Sequence, residues 1–204
     1  MFRERRSLKE RLREALSPTP MRQRLTETMH KLRVQLHRIE RASAELEARD
    51  KSLYEKCIAA VKQDDLQRAK IYAEECAQIR KIAKISLNSQ FALERVVLRL
   101  EAVREFGDIA HTMAPVKGVV ATVRSGLSHV LPDVSLKLAE IDESLASMVL
   151  DIGEAAGEFS VGDQPSGEAK RIMEEAAAFA EQQVKERFPE LPSTTTEETT
   201  FRPP

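Results

Sequence analysis

Apolar residues recur every three or four positions from residue 25 onward, and very little interrupts them. Leu25, Met29, Leu32, Leu36, Ile39, Ser43, Leu46, Asp50, Leu53 and Cys57 keep an unbroken 4-3-4-3 spacing. That is a heptad seam of period 3.5, polar only at Ser43 and Asp50. From Met21 to Ala114 the one Gly or Pro is Gly107. The pattern predicts a helix from about Thr19 to Lys62, roughly 65 Å long at 1.5 Å per residue. Gln63-Asp64-Asp65 is the turn signal that follows, with Asp64 or Asp65 placed to cap the next helix. The seam then resumes as Tyr72, Cys76, Ile79, Ala83, Ser86, Gln90, Leu93, Val97 and Leu100. Two long seams joined by a short turn predict an antiparallel helical hairpin over about 19–114. Cys57 and Cys76 lie on either side of that turn. They are expected to face each other as buried small residues rather than as a disulfide.

Beyond the hairpin the pattern shortens. Pro115, Gly118, Gly126 and Pro132 divide the chain into expected helices at about 116–130 and 133–151. Their apolar faces come from Val116, Val119, Val120 and Val123, then from Leu138, Ile141, Leu145 and Met148. Residues 153–167 are rich in Gly, Ser and acids and read as a flexible linker. An acidic helix is expected at 168–187, and residues 188–204 as a disordered tail. At the other end, residues 1–17 read as a basic amphipathic helix set off by Pro18 and Pro20. The fold class is therefore all-α: a long hairpin, with shorter C-terminal helices packing on a core spanning 18–152.

Composition and charge sharpen this outline. Aromatics make up 4% and Trp is absent, so the helical seams rest on Ala, Leu, Ile and Val. Two cysteines provide no disulfide framework and no metal-ligand spacing. No apolar run nears the roughly 18 residues that span a bilayer, and the charged N-terminus is unlike a signal peptide. A cytoplasmic location is expected. The net charge of −1 hides a polarity: residues 1–41 carry twelve Lys/Arg against five acids, whereas residues 137–204 carry six against fifteen. A basic head and an acidic tail point to an anionic partner, and to a tail able to fold back.

Candidate chemistry is sparse. There is no phosphate-binding Gly loop and no His-Glu-x-x-His pair, and the lone Glu27/His30 spacing is not repeated as a di-iron site requires. No catalytic residue, metal or cofactor is expected, and the chain reads as a non-enzyme. Two features do carry mechanism. In the N-terminal segment Phe2, Leu8 and Leu12 form an apolar stripe flanked by Arg3, Arg5, Arg6, Lys9 and Arg13. This suits the interface of an anionic membrane, with about 1 kcal/mol from each basic residue. Packing on the protein's own core or binding nucleic acid are the competing readings. The other feature is Phe188-Pro189-Glu190-Leu191-Pro192, in which prolines pre-extend the backbone for docking into a groove between partner helices. A plain helix terminator would also contain these prolines.

In this order the pieces resemble the ESCRT-III family, and most of all its archaeal CdvB-type members. The resemblance covers about residues 15–192. It is carried by Asp65-Leu66-Gln67-Arg68-Ala69-Lys70-Ile71-Tyr72-Ala73-Glu74-Glu75 through Arg80-Lys81-Ile82, by Leu98 to Gly107, and by Met113-Ala114-Pro115-Val116. It implies monomers that open and polymerise through their hairpins, alone or with paralogous subunits, into filaments that constrict membrane in cytokinesis. It also implies residence on the inner face of the cell membrane at the division site, disassembly by an AAA ATPase, and no nucleic-acid partner. Phe188, Pro189, Leu191 and Pro192 would contact the MIT domain of that ATPase. Two departures stand out: Phe188 replaces the usual aliphatic residue, and no winged-helix extension follows, as in a shorter paralogue. A soluble coiled-coil dimeric adaptor carrying a docking peptide is the alternative, and a phage-shock-type hairpin is a further one that leaves the motif unexplained.

Overall fold

The computed structural model describes residues 21–106, 109–156 and 167–192. Among these residues the secondary structure is entirely helical: α1 (Met21–Lys62), α2 (Leu66–Phe106), α3 (Ile109–Leu127), α4 (Pro132–Ala156) and α5 (Gly167–Arg187). The all-α expectation holds. Helices α1 and α2, of 42 and 41 residues, pack along each other as the antiparallel hairpin.

The hairpin turn is chemically explicit. Asp64 has φ of 56°, a left-handed conformation that a short polar side chain tolerates better than most. The Asp65 N–H then donates to the Ala60 carbonyl at 3.0 Å, and the Asp64 N–H to the Val61 carbonyl at 3.1 Å. Together these close the end of α1 as a Schellman motif. Asp65 then starts α2, its carboxylate accepting from the Arg68 N–H at 3.1 Å. An N-cap of this kind contributes about 1 kcal/mol.

Helices α3, α4 and α5 gather at the open end of the hairpin. There Leu25, Met29, Leu32 and Ile39 of α1 meet Leu93, Val96, Leu100 and Val103 of α2. Val116, Val120 and Val123 of α3, Leu138, Ile141 and Leu145 of α4, and Ala169, Ile172 and Ala176 of α5 complete that core. Toward the turn the seam thins to a separate cluster of Cys57, Ala60 and Ala69, with Tyr72 and Ala73 against it.

Three expectations need correction. The second arm ends at Phe106 rather than near 114, and Pro115 lies inside α3 instead of dividing two helices. Gly107, the weakest helix former in the stretch, stands next to the observed end. Proline within a helix costs about 3 kcal/mol, yet buried Met113, Val116, Val119 and Val120 each contribute about 1.5–3 kcal/mol and outweigh it. The cysteines do not face each other: the Cys57 thiol donates to the Ala69 carbonyl at 3.4 Å, the Cys76 thiol to the Asp50 carbonyl at 3.8 Å. They therefore sit about 10 Å apart along the hairpin, beyond the ~7 Å Cα limit for a disulfide. The third correction concerns the tail: Phe188 is buried, not part of a loose terminus.

Candidate functional site

Helix α5 lies antiparallel on α2, and the contact is a ladder of opposite charges. Arg99 pairs with Glu168, Arg95 with Glu175 at 2.7 Å, and Lys84 with Glu181 at 3.3 Å. Glu181 also meets Lys185, and hydrogen bonds from Lys185 and Lys84 hold its carboxyl below the usual range. At the far end Arg187 reaches Glu47 at 3.6 Å. Each exposed rung contributes less than about 1 kcal/mol, so the ladder sets register more than strength. Apolar contact is modest: Ala169, Ile172, Ala176 and Ala180 are the buried positions of α5. Phe91 and Phe179 add an edge-to-face ring contact at 4.5 Å.

The ladder ends at a buried ion pair. Asp50, 1% exposed, occupies a heptad position in α1, and Arg80 of α2, 15% exposed, answers it. Arg80 Nε donates to Oδ1 at 2.8 Å and Nη2 to Oδ2 at 3.0 Å. This fork uses the planar guanidinium as a lysine could not. Burial first, then the charge of Asp50, pushes the neighbouring Cys76 thiol up to about 11, so it remains a protonated core group. Burial likewise raises the Cys57 thiol.

Phe188 packs on the Arg80 side of this pair. Its N–H still bonds the Val184 carbonyl at 3.0 Å, completing the last turn of α5. Pro189 cannot continue a helix and restricts the backbone before it. The ring of Phe188, 6% exposed, lies 5.6 Å from the Arg80 guanidinium carbon. A cation–π contact so shielded contributes about 1 kcal/mol or more. Pro189 and Glu190 are exposed, and Leu191 and Pro192 are half-buried. The motif is thus split, its aromatic residue held inward and its middle facing solvent.

Cell division protein B1 of Sulfolobus acidocaldarius is 40% identical over 177 residues, which is 87% of this chain and 83% of that protein. The chain belongs to the cell division protein B family. Cell division protein B of the same organism is 36% identical over 168 residues, covering 82% of this chain and 64% of that protein. No family model matches the chain, and no solved structure matches it.

Within this family member, Phe2, Arg3, Arg5, Arg6, Leu8, Lys9, Leu12 and Arg13 lie outside the described residues. Among the described residues there is no cluster of His, Cys, Asp and Glu able to hold a metal ion, and His30 of the Glu27/His30 pair is solvent-exposed. No helix in the described residues is long and apolar enough to cross a membrane. What sequence reasoning missed is the source of the cations facing the acidic helix. Arg80, Lys84, Arg95 and Arg99 come from a segment, 42–136, that is nearly neutral overall. Their spacing of 4, 11 and 4 residues puts them on one side of α2, and that is the signal a segment-wide charge count averages away.

Proposed function

We propose that this chain is a non-enzymatic ESCRT-III-type subunit that acts in cell division by assembling on membrane into filaments that constrict it. The observation that carries the reading is the closed hairpin: a helix whose Glu168, Glu175 and Glu181 lie along a basic face of α2, in a chain whose relatives are named cell division proteins. The ion pairs of that contact are solvent-exposed and individually weak. In this reading α5, held by those pairs and by a modest apolar contact, is released on assembly, freeing the cationic stripe of α2 for further copies or for paralogous subunits.

Membrane attachment falls to the basic amphipathic segment with Phe2, Leu8 and Leu12, seated peripherally on an anionic inner surface at the division site. The FPELP motif serves as the docking peptide for the MIT domain of an AAA ATPase that strips subunits from the polymer. Phe188, Leu191 and the two prolines provide the contact area, consistent with roughly micromolar affinity after ordering costs.

Negative-stain microscopy of the purified chain, with and without liposomes containing anionic lipid, tests the reading. Filaments, rings or tubulated vesicles are expected with lipid. Discrete dimers that ignore lipid would replace it with a soluble coiled-coil adaptor carrying the same peptide.

A further inference from the structure

Helix α4 carries a stripe that its neighbours leave open. Its inner side packs on α1 and α3. On the outer side Leu136, Glu140, Glu143, Ser147 and Leu150 follow a 4-3-4-3 spacing, and all five are exposed. Leu136, 68% exposed, is the barest large apolar side chain among the described residues, and Leu150 is 47% exposed. A single exposed leucine is ordinary. Two on one heptad stripe, about 21 Å apart, present a seam for a further helix. The seam is acidic: α4 has six Asp/Glu against Lys137 alone. Lys137 answers Glu140 at 2.6 Å, while Asp133 and Glu143 have no ion pair among the described residues. One end of the stripe is tied to the start of α1. Arg24 donates to the Asp151 carboxylate and, at 2.9 Å, to the Ser147 hydroxyl. Met21 rests on the same core as Val149 and Ile152. Residues 1–20 therefore join the body beside Leu150.

We propose that the occupant of this stripe, away from membrane, is the chain's own basic segment 2–16, laid along α4 with Leu16 beside Leu150 and Phe2 beside Leu136. Three observations support that occupant. Phe2 and Leu16 are separated by the same number of positions as Leu136 and Leu150, so a helix of 2–16 spans the stripe end to end. Pro18 and Pro20 break the helix between the segment and α1, where the chain must reverse to run back along α4. Charge is the third: residues 2–16 carry six Lys/Arg against three Glu and meet the acids of α4.

The inference rests on the reading of this segment as the membrane anchor, and its consequence is a competition. Phe2, Leu8 and Leu12 cannot lie on α4 and in a bilayer at once. The apparent affinity for an anionic surface is therefore reduced by the fraction of chains whose segment is free. Linkage works in the other direction too: a membrane that takes up the segment strips it from α4 by the same coupling factor. Leu136 and Leu150 then lose their cover on membrane-bound molecules alone. Apolar surface that would invite association in solution is thus bared only where the chain has reached a membrane.

The chain contains no Trp, so Phe2→Trp provides a single fluorescent reporter in the full-length protein. Acrylamide quenching of this indole, without lipid, is compared with that of a synthetic peptide of residues 1–17 carrying the same substitution. Quenching in the protein is expected to be several-fold weaker and independent of dilution. Leu136→Ala with Leu150→Ala, or Glu140→Gln with Glu143→Gln, should raise it toward the peptide's value. Glu74→Gln with Glu75→Gln, the same change of charge at exposed positions on α2, should leave it unaltered. Quenching equal to the peptide's overturns the inference, as does shielding that the α4 changes do not touch. Shielding lost on dilution overturns it as well, and assigns the stripe to a second copy. With anionic vesicles containing brominated lipid, the indole should leave α4 and be quenched by the bromines. The Glu140/Glu143 variant should reach half-binding at several-fold less lipid than the Glu74/Glu75 variant. A mistaken anchor reading would show itself separately: the indole would stay shielded on α4 with vesicles present, beyond reach of the brominated lipid.

Discussion

At the open end of the hairpin, residues 25–39 of α1 and 92–103 of α2 share a core of Leu, Ile, Val and Met with α3, α4 and α5. At the turn end, among the described residues, the same two helices have only each other, joined through Cys57, Ala60, Ala69 and two flanking residues. Val61, Leu66 and Ile71 remain exposed there, Ile71 by 58%. Between the two lies a polar waist: Ser43 and Ser86 are buried without a hydrogen-bond partner among the described residues, and Asp50 meets Arg80. The difference is instructive. A heptad pattern of constant period yields unequal stability along its length, because burial depends on how many neighbours share the seam and on side-chain size. The open end supplies the folding free energy, and the turn end is left as a thin arm with apolar surface available to a neighbouring molecule.

The largest way to test that contrast is to cut into both ends. Leu100→Ala or Leu138→Ala should lower the unfolding free energy by about 2–5 kcal/mol, since each is fully buried in the shared core. Ala60→Gly in the arm should cost only about 1 kcal/mol. Denaturant unfolding with equal losses at the two ends would erase the comparison. Next is the waist. Asp50→Ala leaves a largely buried guanidinium unpaired and should cost about 3 kcal/mol or more, whereas Asp50→Leu together with Arg80→Leu should be close to neutral. If the double change costs as much as the single one, the pair is itself a main source of stability rather than a polar element fixing register.

A smaller effect is expected in alkaline solution. The native Cys76 thiol keeps its proton up to about 11, while the unfolded thiol loses it near 9. The raised folded value means that its contribution to stability is fully present below pH 9 and is lost as the pH climbs toward 11. Unfolding free energies measured across that window should fall more steeply for the parent than for Cys76→Ala. Parallel curves would indicate that Cys76 titrates as if exposed.

Much of this was legible in the sequence because the signals were local. The 4-3 spacing gave both arms of the hairpin, Gln63-Asp64-Asp65 gave the turn, and the Ala- and Glu-rich stretch after residue 167 gave α5 almost to the residue. Helix α3 was misplaced because a proline rule concerns backbone, while the outcome at Pro115 was decided by four buried apolar neighbours that only tertiary packing brings into play. The cysteine register was misjudged because facing positions in a hairpin must be equally far from the turn, and Cys57 and Cys76 are not. The second buried face of α2, with Ala92, Val96 and Val103, left only a faint trace as apolar residues outside the seam. The fate of Phe188 left none. A Pro-containing motif reads the same whether it is free or resting on Arg80, and that contact depends on α5 being antiparallel to α2 with the observed register.

In the proposed reading, α5 seated on α2 in the register set by its charge ladder keeps the hairpin from assembling. Sedimentation of the full chain on and off anionic vesicles, set beside a Glu168→Arg, Glu175→Arg, Glu181→Arg variant, tests it most directly. The variant should pellet as polymer at lower protein concentration than the parent, because the three reversed charges repel Lys84, Arg95 and Arg99. Identical sedimentation of two well-folded proteins would contradict the account, and would mean that α5 is a fixed part of the fold rather than a removable cover.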